Sequence, residues 1–301
     1  MDYVLITPVK NEVENLDALM NAVLNQTKKP VLWVIVDSGS NDGSFIKASN
    51  LSSKIDWICV TIQANFPEEG YSPKNFAQAI NEGYEIAKEK CATRGIKYDY
   101  VGKTDADIGL PSEYFEILAN EMGANPKLAI ICGRSTTEEK NTRKIALRMA
   151  SSDILIGFHD IRLYRRDFFE EIKGYPLTYH PDTAILIKAI NRNWGVRKSG
   201  STRFIEIRPT GSRSDTMRGA FLQGEHLYKL DYSPILMLMQ SAYCLFQNPP
   251  YLQGIAIALG YLRCAISGVD KVEDTEIREY FRKTRLKDLI AEVSNAKRTG
   301  D

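Results

Sequence analysis

Five short apolar runs punctuate the first 135 residues, and segments with helical spacing separate them. The runs are "YVLIT" (3–7), "VLWVIV" (31–36), "WICVTI" (57–62), "YDYVGK" (98–103) and "LAIICG" (128–133). Between them, "ENLDALMNAVLNQ" (14–26) repeats apolar residues at helical intervals through Leu16, Leu19, Met20, Val23 and Leu24. "PKNFAQAINEGYEIAKEK" (73–90) and "PSEYFEILANEM" (111–122) carry further helices, and "SGSNDGS" (38–44) is a turn opening a short one. Strands alternating with helices fold as βαβ units, so the chain is expected to be α/β, with a mostly parallel, Rossmann-like sheet flanked by helices. Such sheets bind ligands at the carboxyl ends of their strands. Asp37, Asp105 and Asp107 all fall at such ends.

Asp105 and Asp107 have only Ala106 between them, and on an extended backbone they point the same way. Two like charges on one patch repel, so either water solvates them or a cation sits on them. No G-x-G-x-x-G follows the first run and no G-x-x-x-x-G-K-[ST] occurs, which argues against a dinucleotide dehydrogenase or a P-loop kinase. What remains is a nucleotide diphosphate held through a divalent cation, and hard oxygen ligands with substrate phosphates suit Mg²⁺ or Mn²⁺. A net charge of +1 gives no basic field for nucleic acid. The five cysteines form no C-x-x-C pair and read as reduced thiols.

The block "TPVKNEVENLDALMNAVLNQTKKPVLWVIVDSGSNDGS", followed by the acid-x-acid at 105–107, resembles the opening of the family 2 inverting glycosyltransferases. The resemblance runs over about residues 3 to 210 and implies the GT-A fold. It would place Pro8, Lys10 and Glu12 around the nucleotide base and ribose. Asp37 and Ser38 would stand where the family often has two aspartates, one of which bonds the base. Lys74, paired with Asn75, would lie on the nucleotide side. Asp105, with Ala106 beside it, would face the ribose or the metal, and Asp107 would coordinate the metal. In "YHPDTAILIKAINRNWG" (179–195), Asp182 stands at the position of the family's general base, with Pro181 where a second acid is usual. Arg165 matches an arginine on the acceptor side, and Arg208, Arg213 and Arg218 in "RPTGSRSDTMR" could grip acceptor phosphates bidentately.

Residues 233–262 contain no charged side chain, and Asn248-Pro249-Pro250 splits them into pieces too short to cross a bilayer. With basic residues on both flanks, an apolar helical hairpin lying at a membrane interface is expected; packing on the catalytic domain or on a second subunit is the other reading. The residues therefore divide into a catalytic domain (1–215) and a helical region (216–301). The implied function is a metal-dependent inverting glycosyltransferase, moving a sugar from a nucleotide-diphosphate donor to a saccharide or lipid-linked acceptor. Its expected place is the cytoplasmic face of the cell membrane. The rivals are a nucleotidyltransferase with a metal-bound acid pair and a non-catalytic nucleotide-sugar-binding module.

Overall fold

Strand β1 (Tyr3–Val9) and strand β2 (Leu32–Asp37) are buried at almost every position in the computed structural model. It describes residues 1–55, 57, 59–64, 66, 72–136, 161–206, 216–245 and 252–287. Successive side chains on a strand point to opposite faces, so burial of both sets means that both faces are covered. This is why the runs read as continuously apolar. Strand β3 (Cys59–Gln63) pairs with β2, and β4 (Tyr100–Lys103) with β1, all parallel.

Beyond β4 the sheet changes character. Strand β7 (Arg162–Arg165) runs antiparallel to β4 and to β6 (Leu128–Ser135). Strand β8 (Gly195–Glu206) lies parallel to β6, and the short β5 (Ile108–Gly109) closes the edge antiparallel to β8. The order is β3-β2-β1-β4-β7-β6-β8-β5. The five expected strands are present, but the sheet is mixed and eight-stranded. Three strands escaped the apolar pattern for physical reasons: β5 is two residues long, β7 ("RLYR") has arginine at each end, and β8 is largely polar.

Helix α1 (Leu16–Leu24) buries Leu16, Leu19, Met20 and Val23, and α2 (Ser44–Ser52) follows the 38–43 turn. Helix α3 (Pro73–Arg94) starts at an N-cap serine, Ser72, whose hydroxyl accepts from the Asn75 amide, with Pro73 in its first turn. Helix α4 (Tyr114–Ala124) sends Tyr114 and Phe115 into the core. The buried Tyr114 hydroxyl donates to the Ile161 carbonyl and accepts from the Gly133 amide. Helices α5 (Arg166–Glu171) and α6 (Pro181–Asn191) complete this unit, which takes the described residues up to 206.

The described residues from 216 onward form a second compact unit. It contains α7 (Thr216–Lys229), α8 (Pro234–Leu245), α9 (Gln253–Ile266) and α10 (Thr275–Glu279), which runs into a π-turn at Tyr280–Thr284. Helices α7 and α9 meet backbone to backbone. A Cβ on Gly224 would lie 1.9 Å from the Ile257 carbonyl oxygen, and one on Gly260 would lie 2.0 Å from that of Phe221. The uncharged stretch does form two helices, and they divide into faces. Leu236, Met237, Ala256, Ile257 and Tyr261 are buried, while Ile235, Leu238, Ile255, Leu259, Leu262 and Ile266 are exposed. No helix among the described residues is long and apolar enough to cross a membrane. Pro249 and Pro250 lie outside the described residues.

Candidate active site

The carboxyl ends of β1 and β2 are laced together by their following loops. The Asn11 amide donates to Ser40 Oγ, the Asn41 amide to Asn11 Oδ1, the Glu12 amide to Ser44 Oγ and the Val13 amide to Asp42 Oδ2. Burial would raise the Asp42 carboxyl, but bonds from Ser44 and Val13 hold it below the ordinary carboxylate range. Asp42 is thus accounted for as a loop fastener. Pro8 and Lys10 are half-buried here, and the Glu12 carboxylate accepts from Asn15 Nδ2 at 2.6 Å. The Ser38 amide donates to the Val9 carbonyl, which fixes Ser38 beside β1.

Asp37, the last residue of β2, is 1% exposed. Its Oδ2 accepts from the Gly39 and Ser40 amides, whereas its Oδ1 is buried without a hydrogen-bond partner. A buried carboxylate oxygen left unbonded costs free energy, and such exceptions in a folded protein ask for a ligand or a functional reason.

The acid pair sits where β4 ends. Ala106 is buried in the main core while Asp105 and Asp107, on either side of it, are only half-buried. Just before them stands Lys103, which is fully buried. Its ammonium lies 3.5 Å from Asp105 Oδ1 and 3.6 Å from Asp182 Oδ1, and 4.4 Å from the centre of the Phe76 ring. Asp182 opens α6, in its positively polarised first turn. Arg162 Nη2 reaches the same Asp182 Oδ1 at 3.3 Å, and its Nη1 donates to the Asp182 carbonyl. The Tyr175 hydroxyl donates to Oδ1 as well. Burial would raise this carboxyl, but Lys103 and Arg162, helped by Tyr175, hold it down to about 2. Neighbouring His180 is held below its ordinary value by burial, and so stays neutral.

Helix α3 supports the loop that delivers Asp182. Asn81 grips Tyr175 from both sides: its Nδ2 donates to the Tyr175 carbonyl and its Oδ1 accepts the Tyr175 amide at 2.6 Å. Gly174, at φ +89°, must be glycine on two counts, since a Cβ there would also lie 2.5 Å from Asn81 Oδ1. Lys74, expected on the nucleotide side, lies 4.8 Å from the centre of the Tyr179 ring. Lys74 and Asp182 are therefore drawn to one region by α3 and its supported loop.

The arginines expected on the acceptor side fare differently. Arg165 donates to the carbonyls of Met122, Asn125 and Leu128, closing the end of α4. Its guanidinium donates to those backbone oxygens. Arg208 and Arg213 lie outside the described residues, and Arg218 is exposed on α7 in the second unit. Sequence reading passed over Lys103, Arg162 and Tyr175. The signal for one of them was present: a lysine at the end of the fourth apolar run.

For a divalent cation, the donor set at 105–107 is chemically apt, with two hard carboxylates separated by one residue. No cluster of three or more metal-binding side chains occurs among the described residues. An ion there would take the rest of its shell from phosphate and water oxygens, the usual habit of Mg²⁺ and Mn²⁺ at nucleotide sites.

This curled mixed sheet, with an acid pair at the end of β4 and an acid opening α6, is the fold of the GT-A glycosyltransferases. The mannosyltransferase PcManGT from Pyrobaculum calidifontis, solved with GDP-Man and Mn²⁺, superposes with a TM-score of 0.54 at 17% identity, over 99% of this chain and 76% of its own. TarS 1–349 of S. aureus, solved with UDP-GlcNAc, gives 0.52 at 15% identity, over 97% and 82%. The model of glycosyl transferase family 2 matches residues 4–199, and the chain belongs to that family. A cholesterol galactosyltransferase of Borreliella burgdorferi is 27% identical over 124 residues. That match takes in 41% of this chain and 30% of that relative, so the chain spans under a third of the curated relative's length.

Proposed function

We propose that this protein transfers a sugar from a nucleotide-diphosphate donor to a hydroxyl acceptor, with inversion, and that Asp182 is the general base. One observation carries the reading: Lys103, Arg162 and Tyr175 all meet Asp182 at Oδ1, in a side chain that is 33% exposed. One oxygen is anchored and the other, Oδ2, is available to accept a proton, with the carboxylate unable to swing. Fixing a base in this way supplies the orientation that general-base catalysis requires.

On the donor side, Asp37 Oδ1 has an unmet acceptor site for a base N–H, and Pro8, Lys10, Glu12, Ser38 and Lys74 line the nucleotide. Asp105 would face the ribose or share the cation with Asp107, with Ala106 seating the pair on the core. A divalent cation bound there would neutralise the diphosphate and stabilise its departure. In the transfer itself, the acceptor oxygen bonds to the anomeric carbon as the bond from that carbon to the diphosphate oxygen breaks. The bonding electrons leave with the nucleoside diphosphate, and the hydroxyl proton passes to Asp182 Oδ2.

The acceptor we favour is a saccharide or a lipid-linked one, at a membrane surface. Support comes from the exposed apolar residues of α8 and α9. The test of the base is direct. Asp182→Asn should keep its affinity for UDP-, GDP- or dTDP-sugars, measured by calorimetry with Mn²⁺. Its turnover should fall by about 10²- to 10⁴-fold, the contribution of a positioned acid–base group. Near-normal turnover would move the base elsewhere.

A further inference from the structure

Lys103 and Arg162 form an arrangement that a sheet does not choose for stability. Their Cα atoms are register partners across the antiparallel pair β4–β7, in the middle of an eight-stranded sheet. Both side chains are wholly buried. Directly opposed like charges destabilise a strand pair, and each buried ion is stripped of water at a cost of several kcal/mol. An aliphatic pair would fill the same space more favourably. Arg162 has an evident structural use, since it clamps the first turn of α6 through both the carbonyl and the carboxylate of Asp182. Lys103 does something different. It is the cation that meets Asp105 and Asp182 together, and those two acids come from different elements and serve opposite substrates in the reading above.

We propose that Lys103 is a positioning residue that couples the donor-side acid Asp105 to the acceptor-side acid Asp182. The inference rests on the assignment of Asp182 as base. At 3.5 and 3.6 Å its contacts are electrostatic ones, longer than a tight charge-assisted bond of about 2.7–2.9 Å. An ammonium on a flexible four-carbon stem can shorten one contact at the expense of the other. When a donor engages Asp105, the pull of that carboxylate on Lys103 weakens and the ammonium settles on Asp182 Oδ1. The carboxylate is then held most firmly when the donor is in place. The Phe76 face, on α3, keeps the ammonium from leaving the pair.

A double-mutant cycle tests this, with turnover followed as nucleoside diphosphate released from UDP-glucose, GDP-mannose or dTDP-glucose with Mn²⁺. The proteins are wild type, Lys103→Met, Asp182→Asn and the double variant. Methionine fits the lysine stem and removes the charge. In the wild-type background Lys103→Met should lower kcat about 10- to 100-fold, the effect typical of groups that orient a reacting ligand. Affinity for the nucleotide with Mn²⁺ should change by less than about threefold, and in the Asp182→Asn background the same substitution should change kcat by less than about threefold. A structural role would lower kcat equally in both backgrounds, and that result overturns the proposal while leaving the base assignment intact. A folded Lys103→Met with undiminished kcat overturns it too. Near-normal turnover in Asp182→Asn alone refutes the base assignment and the coupling with it. Should Lys103→Met fail to fold, Lys103→Gln is read in the same cycle against the same criteria.

Discussion

Replacing Asp182 by asparagine removes the counter-charge from two buried cations and changes almost nothing else in shape. The carboxyl is held at about 2 against its ordinary 3.8. That shift favours the folded protein at neutral pH by roughly 1–2 kcal/mol, discounted because a third of the side chain is exposed. Lys103 keeps Asp105, but it and Arg162 both lose their contact with the Asp182 charge, and deleting one partner of a buried pair costs about 3–5 kcal/mol at most. We expect Asp182→Asn to lose about 1.5–3 kcal/mol, a fall in Tm of roughly 4–10 °C at neutral pH. Because the folded-state value is the lower one, the stabilisation is complete above 3.8 and disappears as the pH falls through about 2. Melting curves by circular dichroism at pH 7 and pH 2.5 should therefore show a wide gap between wild type and variant at pH 7 and a narrow one at pH 2.5. A variant as stable as wild type at pH 7, or a gap as wide at pH 2.5 as at pH 7, refutes the account of this buried charge cluster.

Three further expectations concern other parts of the chain. Asp107→Asn should weaken Mn²⁺-dependent nucleotide binding at least about tenfold in calorimetry, since it removes one of two hard ligands; unchanged affinity would remove the cation from residues 105–107. Gly174→Ala, at φ +89° and against Asn81 Oδ1, should cost about 1–3 kcal/mol and lower turnover together, because the same loop carries Tyr175 to Asp182; an unchanged Tm would contradict the strain. In the second unit, serine at the exposed Ile255 and Leu259 should reduce co-sedimentation with anionic liposomes and leave Tm unchanged. Serine at the buried Ile257 should instead destabilise by about 2–5 kcal/mol. No sedimentation of wild type would show that this face meets no membrane.

The parallel half of the sheet was legible because burial on both faces writes itself as an uninterrupted apolar run, as in "VLWVIV". In the other half only β6 was, as "LAIICG". Strand β7 is held between β4 and β6 by partners distant in sequence, and its two arginines break the apolar run that would have marked it. Asp105 and Asp107 stood out as candidates because they are neighbours in the sequence, separated by one residue. The setting of Asp182 could not be read in the same way. Its three partners come from β4, β7 and the loop before α6, brought together by a register that no local pattern encodes. For Arg165 the sequence likewise carried no sign of its partners in space, which are the carbonyls of Met122, Asn125 and Leu128.

The close meeting of α7 and α9 has a consequence for how this chain can change over time. The obstacles facing Gly224 and Gly260 are main-chain oxygens, and those cannot rotate aside as side-chain atoms do. Each glycine sits against the backbone of the other's helix, so enlarging either one forces the two axes apart along the whole crossing. A compensating change would need to remove a backbone carbonyl, which no substitution does. The two positions are therefore frozen together, while the exposed apolar residues Leu259, Leu262 and Ile266 on the same helix are free to vary with whatever they meet. A family of such chains would keep a constant spine here and diversify only its outer surface.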